Sequence, residues 1–162
     1  MILIADTGPL IALAKIKHLD LLHVLFEQVR IPVIVYKELM AKIGEEGGEI
    51  DTALDQFILI NQEIPKTKKI EYAIQNLGQG ERKVIELAYS YNKPVLLLMD
   101  DKSGREAAKQ LKLNVTGSVG ILLKAKKEGK IDNVSDLLRL MQKKGYWFSD
   151  EIIHEAGKLA GE

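Results

Sequence analysis

Residues Val95 to Glu106 read VLLLMDDKSGRE, and the reading of this stretch decides the fold. Five apolar residues, Val95 to Met99, follow Pro94 and stop at two adjacent acids, Asp100 and Asp101. A run this short and this apolar predicts a strand buried on both faces, as in a parallel sheet. The acids then stand at the strand's carboxyl end, the edge where open α/β sheets bind ligands. An earlier apolar strand, Ile2 to Ala5, ends the same way at Asp6.

Outward from that stretch, strand-like and helix-like segments alternate. Pro9 suits the first turn of a helix running through Leu13, and a second helix covers Leu19 to Phe26. Val29 to Ile31 is a brief strand closed by Pro32, Ile34 to Ile43 has amphipathic helical spacing, and Gly44 to Glu49 is a polar loop. A helix through Leu54, a strand from Phe57 to Ile60 and a Lys-rich helical stretch from Lys66 to Asn76 come next. Gly78-Gln79-Gly80 punctuates the chain before a helix from Glu81 to Tyr91. Ser103 and Glu106 read as a capping box that opens a helix to Leu111. Asn114 to Thr116 is the last strand, ahead of helices over Ser118 to Glu128, Val134 to Lys144 and Asp150 to Ala160. The alternation predicts βαβ units and a parallel sheet layered by helices.

Composition narrows the function. The 162 residues suit one domain, and 23 basic against 23 acidic side chains leave no global attraction to nucleic acid or membrane. Any charged function has to be local. Cysteine is absent, which excludes a disulfide framework, a thiolate zinc site and a thiol nucleophile, and points to a cytoplasmic setting. The opening MILIAD predicts a first strand, with no leader or membrane helix.

Two further acids interrupt apolar faces. Glu38 shares its helical face with Ile34, Val35 and Ala41, and Glu81 shares its own with Val84, Ile85 and Ala88. Each acid has a plain alternative. Glu81 suits a helix dipole, Glu38 a solvated helix, Asp6 a turn or cap, and the Asp100-Asp101 pair a cap. Taken together they fall where an α/β fold gathers them, and gathered carboxylates repel unless a cation intervenes. Oxygen ligands suit Mg²⁺ or Mn²⁺, which activate water and offset charge on a phosphodiester.

Asp6-Thr7 after the first strand, Glu38 in VYKEL, Glu81 in GQGERKVIELA and the LLLMDDKSGR stretch together resemble the PIN domain, particularly small prokaryotic VapC-type toxins. The match spans roughly Ile2 to Ile131, so the domain over residues 1–162 divides into a core to about 131 and a helical extension from about 132. The resemblance implies a three-layer α/β/α sandwich and a Mg²⁺- or Mn²⁺-dependent endoribonuclease. It also implies an RNA substrate, an antitoxin partner and a homodimer. Carried over, Asp6, Glu38, Glu81 and one or both of Asp100 and Asp101 hold metal. Asp101, nearer the following loop, is the first choice of that pair and joins Asp6, Glu38 and Glu81 as catalytic. Gly8 stands where relatives often carry Ser, and Glu81 where many carry Asp.

Thr7, Lys102, Arg105, Thr116 and Ser118 are the residues expected to meet substrate. Trp147, between Tyr146 and Phe148, reads as a packing anchor for the last helix, with base stacking as the alternative. Leu19, Leu22, Leu25 and Phe26 offer apolar surface for the homodimer. His18, His23 and His154 lack ligand spacing, and neither Gly78-Gln79-Gly80 nor Gly117-Ser118-Val119-Gly120 leads into the Lys-Ser/Thr of a P-loop. Two rival readings are a non-catalytic acidic pocket for a basic peptide and a Mg²⁺-dependent phosphohydrolase of small molecules. The second usually starts with an Asp-x-Asp that Asp6-Thr7-Gly8 does not provide.

Overall fold

A computed structural model of the chain describes residues 1–42 and 44–162. Five strands, β1 (Ile2–Ala5), β2 (Gln28–Pro32), β3 (Ile58–Asn61), β4 (Val95–Leu98) and β5 (Asn114–Thr116), form one parallel sheet in the order β3-β2-β1-β4-β5. β1 is buried at every position and β4 at three of its four, because helices cover both faces of the sheet centre. The chain steps outward from β1 to β3, then returns to lay β4 on the other side of β1. That reversal opens a crevice between the carboxyl ends of β1 and β4.

Register sets what emerges there. Ala5 lies opposite Leu98, and Leu98 opposite Thr116. The ladder runs one step further, with the Asp6 N–H donating to the Leu98 carbonyl and the Met99 N–H to the Thr116 carbonyl, both at 2.9 Å. Asp6, Asp100 and Ser118 therefore leave three adjacent strands at one edge.

The helices are α1 (Thr7–Lys15), α2 (Leu21–Leu25), α3 (Val33–Ala41), α4 (Gly47–Gln56), α5 (Glu71–Ile74), α6 (Gln79–Tyr89), α7 (Lys102–Gln110), α8 (Ser118–Lys127), α9 (Val134–Lys143) and α10 (Asp150–Leu159). α6 packs across β1, β2 and β4 and beside α7, while α1 and α2 pack with α8 and α9 packs on α8 and α1. α3 touches both α1 and α6, so its side chains bridge the first and middle parts of the chain. Leu3, Ile4, Leu10, Leu13, Leu22, Ile31, Leu39 and Ile85 are among the fully buried residues at the centre. Among the described residues no helix is long and apolar enough to cross a membrane.

Several expected elements differ in extent. α2 is shorter than Leu19 to Phe26 because Phe26 is already extended, at φ −132° and ψ 146°. The expected loop over Gly44 to Glu49 is half helix, since α4 begins at Gly47 with Glu49 in its first turn, where an acid meets the helix dipole favourably. The stretch Lys66 to Asn76 shrinks to a 3₁₀ turn at Lys68–Ile70 and the single turn of α5, which bury only Ile70 and Ile74. α3 runs Val33–Ala41, and the expected end at Ile43 lies outside the described residues. The capping box is also displaced. α7 starts at Lys102 with Asp101 as its N-cap, so Ser103 lies inside the helix. Leu19, Leu22 and Phe26 are buried within the chain, which removes the apolar surface that argued for a dimer at that helix.

Candidate active site

Asp6 closes β1 and is 7 % exposed, with no capping hydrogen bond into α1. Its carboxyl has no cation partner among the described residues. A second buried acid, Glu86 on α6, shows the contrast, because Lys83 donates to it at 2.7 Å. Burial, above all, raises the Asp6 pKa to about 7. The Thr7 N–H draws it back, and the charges of Glu81, Glu38 and Asp101 push it further up. All three must therefore lie near it.

The surrounding acids arrive from separate elements. Asp6, Glu38, Glu81, Asp100 and Asp101 line one cleft of about 210 Å³. Glu38 comes from α3, and its Oε2 accepts from the Thr7 hydroxyl at 2.5 Å. Glu81 comes from the first turn of α6. Gly80, beside it, lies close to Glu38, since a Cβ there would stand 2.9 Å from Oε1 of Glu38 and push that carboxylate aside. Lys42 is the cation that lines this cleft.

The adjacent aspartates have different tasks. Asp100 accepts three hydrogen bonds, from the Ser118 N–H at 2.7 Å, the Ser118 hydroxyl at 2.6 Å and the Tyr146 hydroxyl at 2.5 Å. A carboxylate offers about four lone-pair sites, which leaves Asp100 room for roughly one more bond. Asp101 is exposed, and its Oδ2 accepts from the Gly104 N–H at 2.8 Å as the cap of α7. Its other oxygen makes no protein hydrogen bond among the described residues. The cap reading of the pair thus holds for Asp101 while the same side chain still lines the cleft.

Two residues expected to meet substrate support the acids from below. Ser118 is fully buried and gives both donors to Asp100, and buried Thr7 gives its hydroxyl to Glu38. Lys102, Arg105 and Thr116 instead line a second cleft of about 830 Å³, which shares Asp100, Asp101 and Tyr146 with the first. Tyr146 itself is a site residue that sequence reasoning missed. Burial first, and then the charge and hydrogen bond of Asp100, hold its phenol well above the usual value, so it stays a donor. Its ring passes over Gly8, where a Cβ would stand 3.2 Å from the hydroxyl oxygen. No local pattern signals this, because 46 residues separate Tyr146 from Asp100. Trp147 does not anchor the last helix. It is 77 % exposed, whereas its neighbour Phe148 is buried in the core.

The donors are carboxylate oxygens, which suit a hard divalent cation. Among the described residues no three His, Asp or Glu side chains stand close enough to grip one ion together. Carboxylates so spaced would hold a divalent ion through one or two of them, with most of its water retained.

The comparisons with known proteins agree with this fold. The family model described as "DUF3368: PIN domain" matches residues 2–162. No curated protein matches the chain. Among solved structures, the chain is similar to a PilT N-terminus domain protein from the hyperthermophilic archaeon Sulfolobus solfataricus P2. The TM-score is 0.53 and the identity 21 %, over 75 % of this chain and 90 % of that one. At that identity the likeness concerns the fold, while the family model covers nearly all residues. The chain belongs to the PIN domain family, whose members are generally metal-dependent nucleases.

Proposed function

We propose that the chain is an endoribonuclease that hydrolyses phosphodiester bonds with Mg²⁺ or Mn²⁺ at the carboxylate cleft. One observation carries the reading. Asp6 is buried without a cation partner among the described residues, and its pKa is raised partly by three other acids of the same cleft. Such an arrangement costs folding energy and is retained where a bound cation makes use of it. A divalent ion held there would lower the pKa of water and offset charge on the phosphoryl oxygens.

The chain's own residues do the rest. One or two of Asp6, Glu38, Glu81 and Asp101 would hold the ion directly and the others would add charge around it, while the Thr7 hydroxyl donates to Glu38. Ser118 and Tyr146 hold Asp100 in one orientation. Lys102 and Arg105 lie beside Asp100 and Asp101 in the wider cleft, placed to meet phosphates. The preference for RNA, and a role as the toxin of a pair whose antitoxin is a protein partner, rest on the resemblance to VapC-type proteins.

Incubation of a mixed RNA with Mg²⁺ or Mn²⁺ tests the reading. Metal-activated water does not need the ribose 2′-hydroxyl, so the products should carry 5′-phosphate and 3′-hydroxyl ends, and EDTA should stop the reaction. Cyclic phosphate ends, or cleavage undiminished in EDTA, would overturn it.

A further inference from the structure

The chain's only tryptophan, Trp147, is 77 % exposed between two neighbours that are engaged, Tyr146 on Asp100 and Phe148 in the core. An exposed indole beside cations offers a face on which a planar group can stack. Trp147 lines the 830 Å³ cleft together with Lys102, Arg105 and Lys109 of α7. None of these three cations has an ion-pair partner among the described residues. Arg105 spends one N–H on the Met99 carbonyl at 3.3 Å, which steadies the guanidinium and leaves its other donors available. The cleft opens onto the acids, because Asp100, Asp101 and Tyr146 line both cavities.

We propose that this cleft binds single-stranded nucleic acid, with one base stacked on Trp147 and the backbone phosphates on Lys102, Arg105 and Lys109. The shared lining supports it. The cleft that holds Trp147 and the three cations also holds Asp100 and Asp101, where the nuclease reading requires a phosphodiester. The proposal rests on that reading only for this last step. Cations alternating with an aromatic platform are what a single strand needs, since every unpaired base offers a π-face and every linkage a charge. An acidic peptide would satisfy the cations but leave the indole face unused.

Because Trp147 is the only tryptophan, its fluorescence reports the stack directly. Wild-type protein is titrated, in EDTA and low salt, with an oligoadenylate of about ten nucleotides, a length within the usual single-strand site size. Inorganic polyphosphate and polyglutamate serve as controls. The expected result is saturable quenching by the oligonucleotide alone. Anisotropy of a labelled oligonucleotide should show binding weakened roughly ten-fold or more in Trp147→Ala and largely kept in Trp147→Phe. Equal quenching by polyphosphate or polyglutamate overturns the base stack, as does oligonucleotide binding that leaves Trp147 emission and the Trp147→Ala affinity unchanged. Absence of binding overturns the proposal outright. Quenching without any metal-dependent cleavage would sink the nuclease reading and spare this one. Cleavage with an unchanged KM in Trp147→Ala would do the reverse.

Discussion

Asp6 is the residue on which folding cost and chemistry meet. Its folded pKa of about 7 lies above the ordinary aspartate value of 3.8, so between the two the folded state holds a proton that the unfolded state releases. The contribution of Asp6 to stability is therefore full below about pH 4, falls as pH rises toward 7 and stays lost above it. Asp6→Asn removes the charge and keeps the shape. Without metal the variant should be more stable than wild type by about 1 kcal/mol near pH 8, and this gap should close toward pH 4, as read by urea melts in EDTA. Metal stabilisation and RNA cleavage should both be lost. Destabilisation by several kcal/mol with an intact metal response would make Asp6 a structural cap. At Tyr146 the prediction has the opposite sign. Tyr146→Phe deletes one of three donors to Asp100 and should cost about 1.5–3 kcal/mol in the same melts, the range for a hydrogen bond to a charged group.

At the scale of elements, two helix starts hold the acids and each can be tested apart from the chemistry. Asp101 caps α7 and also faces the cleft. Asp101→Ala should cost about 1 kcal/mol of stability through the lost cap, and Asp101→Ser should recover most of it while cleavage stays low. If serine restored cleavage as well, Asp101 would be a cap alone. Gly80 in the first turn of α6 lies against Glu38 of α3. A methyl group there displaces the end of a flexible side chain, so Gly80→Ala should leave stability unchanged or raise it by up to about 1 kcal/mol. The same change should lower the rate of cleavage, because Glu38 is pushed from its place beside Thr7. Melts and initial rates on one preparation measure both.

Across the whole molecule, the site is an assembly of parts far apart in the chain. β1, α3, α6 and the loop after β4 each bring an acid, and the segment between α9 and α10 brings Tyr146. The ends of that helical pair are tied together, with Glu162 accepting from the Val134 and Ser135 N–H groups at the start of α9. An ion that binds only when these parts are assembled stabilises the fold by mass action, by about 2.7 kcal/mol at a hundred times its Kd. Mn²⁺ or Mg²⁺ should therefore raise the melting temperature of the wild type. Saturating metal that leaves it unchanged, with no heat of binding in calorimetry, would remove the ion from the site.

The sequence by itself determined the strands and the acids at their ends. Val95 to Met99 could not be a solvated helix, and a parallel sheet sends its strand ends to one edge, so Asp6 and Asp100 were bound to meet. Helical spacing likewise singled out Glu38 and Glu81, which the structure leaves half-buried at the cleft, although Ala41 of the stripe assigned to Glu38 is exposed. The start of α7 misread because Ser103 and Glu106 have capping-box spacing, yet the chain turns two residues earlier, where Asp101 can reach the Gly104 N–H. Local pattern does not say which of two competing caps the strand end will favour. Only the tertiary structure decided that Ser118 and Tyr146 converge on Asp100, that Trp147 stands in solvent and that Leu19, Leu22 and Phe26 are consumed inside. The reason is distance along the chain. Periodicity reports which face of an element is apolar, whereas the partner that covers or contacts that face is chosen by packing between elements that the sequence keeps far apart.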